Sequence, residues 1–593
     1  MSSARRISGL TIMRAIAVVL VLFIVACSRG TPSSSLRATD IPPRRAMAFP
    51  EGWRFAAGQP AAFGERFMIA SNERRASDAG NEIIQAGGNA VDAAVAVGFA
   101  LAVTYPVAGN VGGGGFMVIR MADGRSAAID YREVAPQAAS RDMYLDAQGN
   151  PTNESIIGYR ASGVPGAVAG MAEALAKYGT MPLSRVMEPA IRLARDGFVV
   201  DSQFHSSLAG SRDYITRFDG RDVFYVNGQA LPVGTHFRQL ALARTLQLIA
   251  DQGPAAFYRG EVGDSLVAAM KRGGGILTKQ DLENYRPEWR TPIRSTYRGY
   301  TLFTMPPASS GGVTITETMN MLETWDSLPS FGSAAYAHVL SSAYQRAFID
   351  RNSKLADPKF VPVPIAELTS KTYARALAKT IDPARKTPTP PNGAQIVDGM
   401  HTTHYSVVDD KGNAVATTTT INNGYGSAVY LTNVGFFMND EMDDFATAPG
   451  KPNMFGLVQY EQNAIAPGKR MLSAMSPSIV LDPKGELLLV VGAAGGPRII
   501  TATSQVILNV IDHRMSLSDA MRAPRLHHQA LPDTLMYETG GLSQAAQDSL
   551  RRIGHGLRAI GGIANVNAVM RVKGGWEGVS EPRSGGTGGT SAR

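Results

Sequence analysis

The chain has 593 residues, 44% hydrophobic and 18% charged, with 58 Lys and Arg against 50 Asp and Glu. That is a globular composition with enough length for a well-buried core; at roughly 150 residues per domain it suggests about four domains, though one large sandwich also fits. No Lys/Arg run interleaves with aromatics, which argues against nucleic-acid binding, and a single cysteine excludes a disulfide framework.

Arg5, Arg6 and Arg14 precede an unbroken apolar run over residues 15–26. Twelve residues are too few for a hydrocarbon layer of about 30 Å, which needs about 20. They fit the core of a signal peptide. The run ends Ile24-Val25-Ala26-Cys27, and Cys27 is the lone cysteine. This ending resembles the lipobox of bacterial lipoproteins. The expectation is a signal peptide over 1–26, a lipid-bearing Cys27, and a periplasmic, membrane-anchored product. The alternative is an ordinary signal peptide with an incidental cysteine. Residues 27–62, rich in Ser, Pro, Arg and Gly, read as a flexible tether.

Residues 77–86 predict a helix stopped by Gly87-Gly88. Asn89 predicts the cap of a second helix running to Val103, with Asp92 in its first turn. Small residues on all its faces predict close packing against something flat, such as a sheet. Residues 109–116 form a glycine-rich turn, followed by strands at 116–119 and 127–130 that lead into Tyr131-Arg132-Glu133. This turn lies between helix and strand, the wrong order for a nucleotide fingerprint. Helical segments such as 166–178 and 239–252 alternate with Gly/Pro breaks, and residues 306–312 form a loop before another helix. The stretch 386–392 (Lys-Thr-Pro-Thr-Pro-Pro-Asn) cannot be helix or central strand and is the linker candidate.

Residues 403–409 and 414–420 then read as paired strands joined by Asp410-Lys411-Gly412. If Asp409 pairs with Asn413, Thr402 lies directly opposite Thr420. A slip of one residue would put Thr402 on the wrong face. Taken alone, the pair reads as a hairpin rich in Thr because Thr suits strands.

More is carried by the segments together. They are residues 109–116, Thr402-Thr403-His404-Tyr405-Ser406, Asn422-Asn423-Gly424-Tyr425-Gly426, residues 439–445 (Asn-Asp-Glu-Met-Asp-Asp-Phe), residues 469–477 (Lys-Arg-Met-Leu-Ser-Ala-Met-Ser-Pro) and residues 492–501 (Gly-Ala-Ala-Gly-Gly-Pro-Arg-Ile-Ile-Thr). In this order and spacing they resemble the γ-glutamyltransferase (γ-glutamyltranspeptidase) family, from about residue 66 to about 584. The resemblance implies an α+β fold: the N-terminal-nucleophile (Ntn) hydrolase αββα sandwich, two stacked antiparallel sheets between helical layers. It implies autocleavage between His401 and Thr402, giving a large subunit (63–401) and a small one (402–593) that share one domain.

Thr402 would then be the nucleophile for self-cleavage and for catalysis. Its freed α-amino group, with a pKa of about 7.7–8.0, would be the base. Thr420 would orient it, and the Gly495 and Gly496 amides would form the oxyanion hole. Arg132, assisted by Ser473, would hold the α-carboxylate of a γ-glutamyl group; Asn422, Glu441 and Asp444 would hold its α-ammonium. The implied donors are glutathione and other γ-glutamyl compounds, and the acceptors are water, amino acids or peptides.

No cofactor or metal is implied. His527-His528 point apart in extended chain, and no carboxylate or Cys spacing completes a site. His404, two residues along the strand from Thr402, reads as structural. The chain departs from the family pattern at Ala474, where many bacterial members have a second serine; at Phe455, where some carry a lid tyrosine; and at Ala493-Ala494. The competing readings are a cephalosporin (glutaryl) acylase of the same fold and a non-enzymatic lipoprotein. The retained Asp444 favours a donor with an α-amino group.

Overall fold

Fourteen strands fall into two seven-stranded sheets in the computed structural model, which describes residues 44–389, 402–584 and 588–592. The expected signal peptide, Cys27 and His401 lie outside the described residues. One sheet runs Gly589–Ala592, Met68–Ser71, Thr402–Val408, Ala414–Thr420, Gly114–Arg120, Ser126–Asp130, Glu288–Arg290. The other runs Ala62–Gly64, Gly575–Val579, Asn565–Val572, Leu487–Ala494, Ser478–Leu481, Tyr300–Thr304, Ile293–Tyr297. Every pairing within them is antiparallel. Each sheet takes strands from both sides of residue 402. A cut there would divide the chain without dividing the layers.

Strand alternation explains the stacking. Along Thr402–Val408, His404 and Ser406 project toward the other sheet. Ser406 Oγ donates to the Val490 carbonyl at 3.2 Å, and Asn567 Nδ2 donates to the His404 carbonyl at 2.7 Å. Tyr405 and Val407 face outward, into a core shared with the helices Arg74–Gln85, Ala90–Thr104 and Ala167–Tyr178. The helices Gly311–Leu322, Ala334–Lys354 and Arg498–Ile511 contribute to the core of the other sheet. Helix, sheet, sheet, helix is the layering the resemblance implied.

Asn89 caps Ala90–Thr104 as the sequence predicts. Its side chain accepts the Val91 and Asp92 amides at 2.8 and 3.1 Å, and Asp92 accepts the Asn89 amide at 2.7 Å. Such a cap stabilises a helix by about 1 kcal/mol. All the residues of this helix are buried. A Cβ at Gly98 would come within 2.8 Å of the Tyr405 hydroxyl, so small side chains here let the helix lie close on the Thr402 strand.

Two expectations need correction. The tether does not extend to residue 62: from residue 44 onward the chain is laid on the body. The Arg45 amide donates to Arg514 O at 2.9 Å, Trp53 is buried with its indole N–H on Arg522 O at 2.9 Å, and the Gly58 amide reaches Asp519 at 2.7 Å. Ala62–Gly64 is already an edge strand. Isolated anchors of this kind leave no periodicity to read. The linker candidate is likewise held at its start. The Lys386 amide donates to Ile553 O at 2.8 Å, its ammonium pairs with Asp533, and the Thr389 amide reaches the same carboxylate at 2.9 Å.

Candidate active site

Thr402 opens its strand directly opposite Thr420, which closes the next one. Their hydroxyl oxygens lie 3.2 Å apart. The Asn422 amide donates to Thr420 Oγ1 at 2.8 Å. With that lone pair engaged, the Thr420 proton is free to point at Thr402 Oγ1. Asn422 holds a left-handed backbone (φ 74°), which asparagine tolerates better than most residues. The turn brings its side chain beside Thr402 and Thr420, in one small cavity.

Gly495 and Gly496 follow the strand Leu487–Ala494, with φ of 135° and 55°. They precede the helix Arg498–Ile511, whose N-terminus favours negative charge. Gly496 lines the cavity. A Cβ there would lie 2.9 Å from the Phe455 ring, so glycine is what lets that ring close over the site. Phe455 also lines the cavity, as does Ala474. The Phe455 amide donates to Asn453 Oδ1 at 3.0 Å, and its carbonyl accepts from Gln529 at 3.3 Å.

The far end of the cavity is charged. Arg132 follows the strand Ser126–Asp130 and is 1% exposed. Its Nη2 pairs with Asp444, and its Nη1 lies 2.5 Å from Glu441 and 3.8 Å from Glu133. Asp444 lines the cavity, whereas Glu441 and Glu133 lie fully buried behind Arg132. Burial raises the Asp444 carboxyl, with Arg132 opposing, and raises Glu441 well above its ordinary range. Burial pushes Glu133 up to about 8 and Asp443 up to about 6. Ser473 lines the same end, its carbonyl accepting from the Ser310 amide at 2.8 Å.

Thr402, Thr420, Asn422, Asp444, Arg132, Ser473 and Gly496 therefore line one cavity, while Glu441 supports Arg132 from behind. The expected carboxylate clamp, Arg132, is bonded here to two of the three expected ammonium acceptors, Asp444 and Glu441. Arg351, from the helix Ala334–Lys354, also lines the cavity and was not singled out from the sequence. Burial pushes its guanidinium down to about 10. Its sequence signal is weak: it is one of two arginines in a helix whose buried residues also include Tyr344, Gln345, Arg346, Asp350 and Asn352.

The histidines have other partners. His404 lies between the sheets, with Nδ1 at 2.8 Å from Thr418 Oγ1 and Nε2 at 3.0 Å from Ser406 Oγ; burial lowers its pKa to about 3. It stays neutral and structural. His527 contacts Thr501 and Gln529, both at 2.9 Å, whereas His528 faces Asp533 at 3.3 Å. The two rings diverge, as expected for adjacent residues in extended chain.

Residues 76–591 match the gamma-glutamyltranspeptidase family model. The chain is 46% identical over 480 residues to the glutathione hydrolase proenzyme of Escherichia coli (strain K12), covering 80% of this chain and 83% of that one. It is 40% identical over 484 residues to the acylase ACY 1 proenzyme of Pseudomonas sp. (strain V22), covering 80% and 84%. Among solved structures, cephalosporin acylase from Bacillus halodurans superposes with a TM-score of 0.80 at 27% identity, covering 92% of this chain and 99% of that one.

Proposed function

The chain belongs to the gamma-glutamyltranspeptidase family, an enzyme family of γ-glutamyl transfer on the Ntn-hydrolase fold, and from its site we propose that Thr402 is the nucleophile, released as a chain terminus by self-cleavage after His401. The observation that carries this reading is the Thr402–Thr420 hydroxyl contact at 3.2 Å, in a cavity whose far end carries both signs of charge. A γ-glutamyl group ends in an α-ammonium and an α-carboxylate. Asp444 and Asn422 suit the first, and an arginine with Ser473 suits the second.

The proposed precursor reacts first with itself. Thr402 Oγ attacks the His401 carbonyl, an N-to-O shift gives an ester, and water releases two chains. In the mature site the Thr402 α-amino group takes the hydroxyl proton as Oγ attacks the γ-carbonyl of the donor. The Gly495 and Gly496 amides face the tetrahedral oxygen. That proton passes to the departing amine, leaving a γ-glutamyl ester on Thr402. Water or the amine of an amino acid or peptide then takes the acyl group. The proposed donors are glutathione and related γ-glutamyl compounds.

The test is a gel of purified protein with N-terminal sequencing of the smaller band. A sequence beginning Thr-Thr-His-Tyr-Ser supports the reading. A Thr402→Ala variant that is still cut into two chains overturns it. A second reading, a glutaryl-type acylase, is favoured by the 40% identity to a protein named as an acylase. It predicts that Asp444→Asn leaves γ-glutamyl turnover unchanged.

The leader adds a proposal about place: export, with lipid on Cys27 holding the enzyme to a membrane of the periplasm. Its support is the basic region, the short apolar run and the Ala26-Cys27 ending. Labelling with radioactive palmitate checks it. A labelled wild type and an unlabelled Cys27→Ala variant are expected; an unlabelled wild type overturns it.

A further inference from the structure

A second cavity, with no lining residue in common with the Thr402 cavity, is bordered by the helix Glu261–Arg272 and by the hairpin of strands Tyr430–Leu431 and Phe436–Phe437. Its walls come from both sides of residue 402. Tyr430, Leu431 and Val434 are buried and give it an apolar floor. Tyr159 forms one side, its ring edge-on to Phe218 with 5.8 Å between centroids. A Cβ on Gly273 would lie 2.2 Å from that ring, so glycine is what lets the tyrosine fill the wall.

The rim carries one charge of each sign. Arg272 ends the helix, Asp219 follows Phe218, and both are exposed. Both act on the Tyr159 hydroxyl: burial pushes its pKa up, Asp219 adds to the rise and Arg272 opposes it. Yet the two do not pair with each other. Other surface arginines of this part of the chain take a carboxylate, as Arg212 does with Asp213, Arg221 with Asp222 and Arg244 with Glu261. Among the described residues Arg272 makes no ion pair and no side-chain hydrogen bond. Asp219 makes none either; it lies in the field of Arg221, whose Nε is already 2.9 Å from Asp222. Opposite charges on one rim above an apolar floor match a free α-amino acid, with its carboxylate on the arginine fork, its ammonium on the acid and its side chain on the floor. A lone anion would meet Asp219 and a lone cation Arg272, whereas a zwitterion satisfies both.

We propose that this cavity is a second binding site, for a free α-amino acid with an apolar side chain, whose carboxylate docks on Arg272 and whose ammonium docks on Asp219. The site shares no residue with the Thr402 cavity and does not depend on the Thr402 reading.

The probe is L-phenylalanine, titrated into the purified wild-type protein and followed by ligand-observed NMR. Two relatives each lack one pole: N-acetyl-L-phenylalanine has no ammonium, and L-phenylalaninamide has no carboxylate. Arg272→Gln is expected to weaken L-phenylalanine by about 5- to 10-fold, the range of a charged hydrogen bond that stays partly solvated, and to leave the weaker-binding amide unchanged. Asp219→Asn should weaken L-phenylalanine to a similar degree and leave the N-acetyl form unchanged. Both residues are exposed, and a Tm equal to that of the wild type reports an intact fold. No binding by the wild type at about 10 mM, where a site with a Kd of about 1 mM is about nine-tenths full, overturns the proposal. So does binding that both variants leave unchanged, which places the ligand elsewhere, the Thr402 cavity included. Equal weakening of all three probes by either variant also overturns it, because a contact to one pole cannot act on a ligand that lacks that pole.

Discussion

Thr402 Oγ1 and Thr420 Oγ1 meet at 3.2 Å because the two strands pair in a register that places residue 402 opposite residue 420. The Asn422 amide, 2.8 Å from the same Thr420 oxygen, leaves the Thr420 proton one useful direction. A developing alkoxide on Thr402 would be met by that proton.

Thr420→Val keeps shape and strand preference but removes the hydroxyl. We expect kcat with a γ-glutamyl anilide to fall by about 10- to 100-fold, in line with one hydrogen bond to a developing charge. Thr420→Ser should retain most of the activity. Steady-state kinetics on the cleaved enzyme measure both, and equal losses would show that packing rather than the hydroxyl matters.

Asp444→Asn removes the charge that Arg132 holds toward the cavity. On γ-glutamyl substrates kcat/KM should drop by about 100-fold, as for loss of a buried charged hydrogen bond. A glutaryl substrate, which has no α-ammonium, should lose far less. Parallel assays of the two acyl groups decide between the transferase and acylase readings.

Glu133 gives a pH-dependent stability. Its carboxyl is raised from 4.5 to about 8, chiefly by burial. Below pH 4.5 it is protonated in both folded and unfolded chains, and its contribution is fully present. Between 4.5 and 8 the unfolded chain ionises it while the folded one keeps the proton, so stability falls as pH rises and levels off above 8. Glu133→Gln should make this slope shallower, the other buried carboxyls keeping their share. Urea midpoints from pH 5 to 9 check it, and a wild type and variant with parallel profiles would refute it.

Gly492→Ala tests the sheet interface. An added Cβ would lie 2.4 Å from the His404 ring, which is fixed between the sheets by Thr418 and Ser406. Overpacking of this kind costs about 1–3 kcal/mol. A lowered denaturation midpoint is expected, with relief in a Gly492→Ala/His404→Ala double variant.

Local chemistry was enough for the capped helix after Asn89, the hairpin at 402–420 and the family resemblance. Capping, turn residues and strand alternation act over a few neighbours, so they can be read from spacing. The same holds for which residue types could hold an amino-acid head: an arginine fork, carboxylates and an amide. What spacing cannot carry is the partner of each charge. Arg132 and Asp444 are 312 positions apart, and only the folded chain decides that they bond to each other. It is likewise the packing of the helix Ala334–Lys354 that brings Arg351 into the cavity, and the individual anchors of Trp53 and Gly58 that fix a segment with no pattern of its own. The sequence by itself determined the nucleophile candidate and its strand register. The tertiary structure decided how charge is distributed around it, because burial and long-range pairing, unlike periodicity, have no local signature.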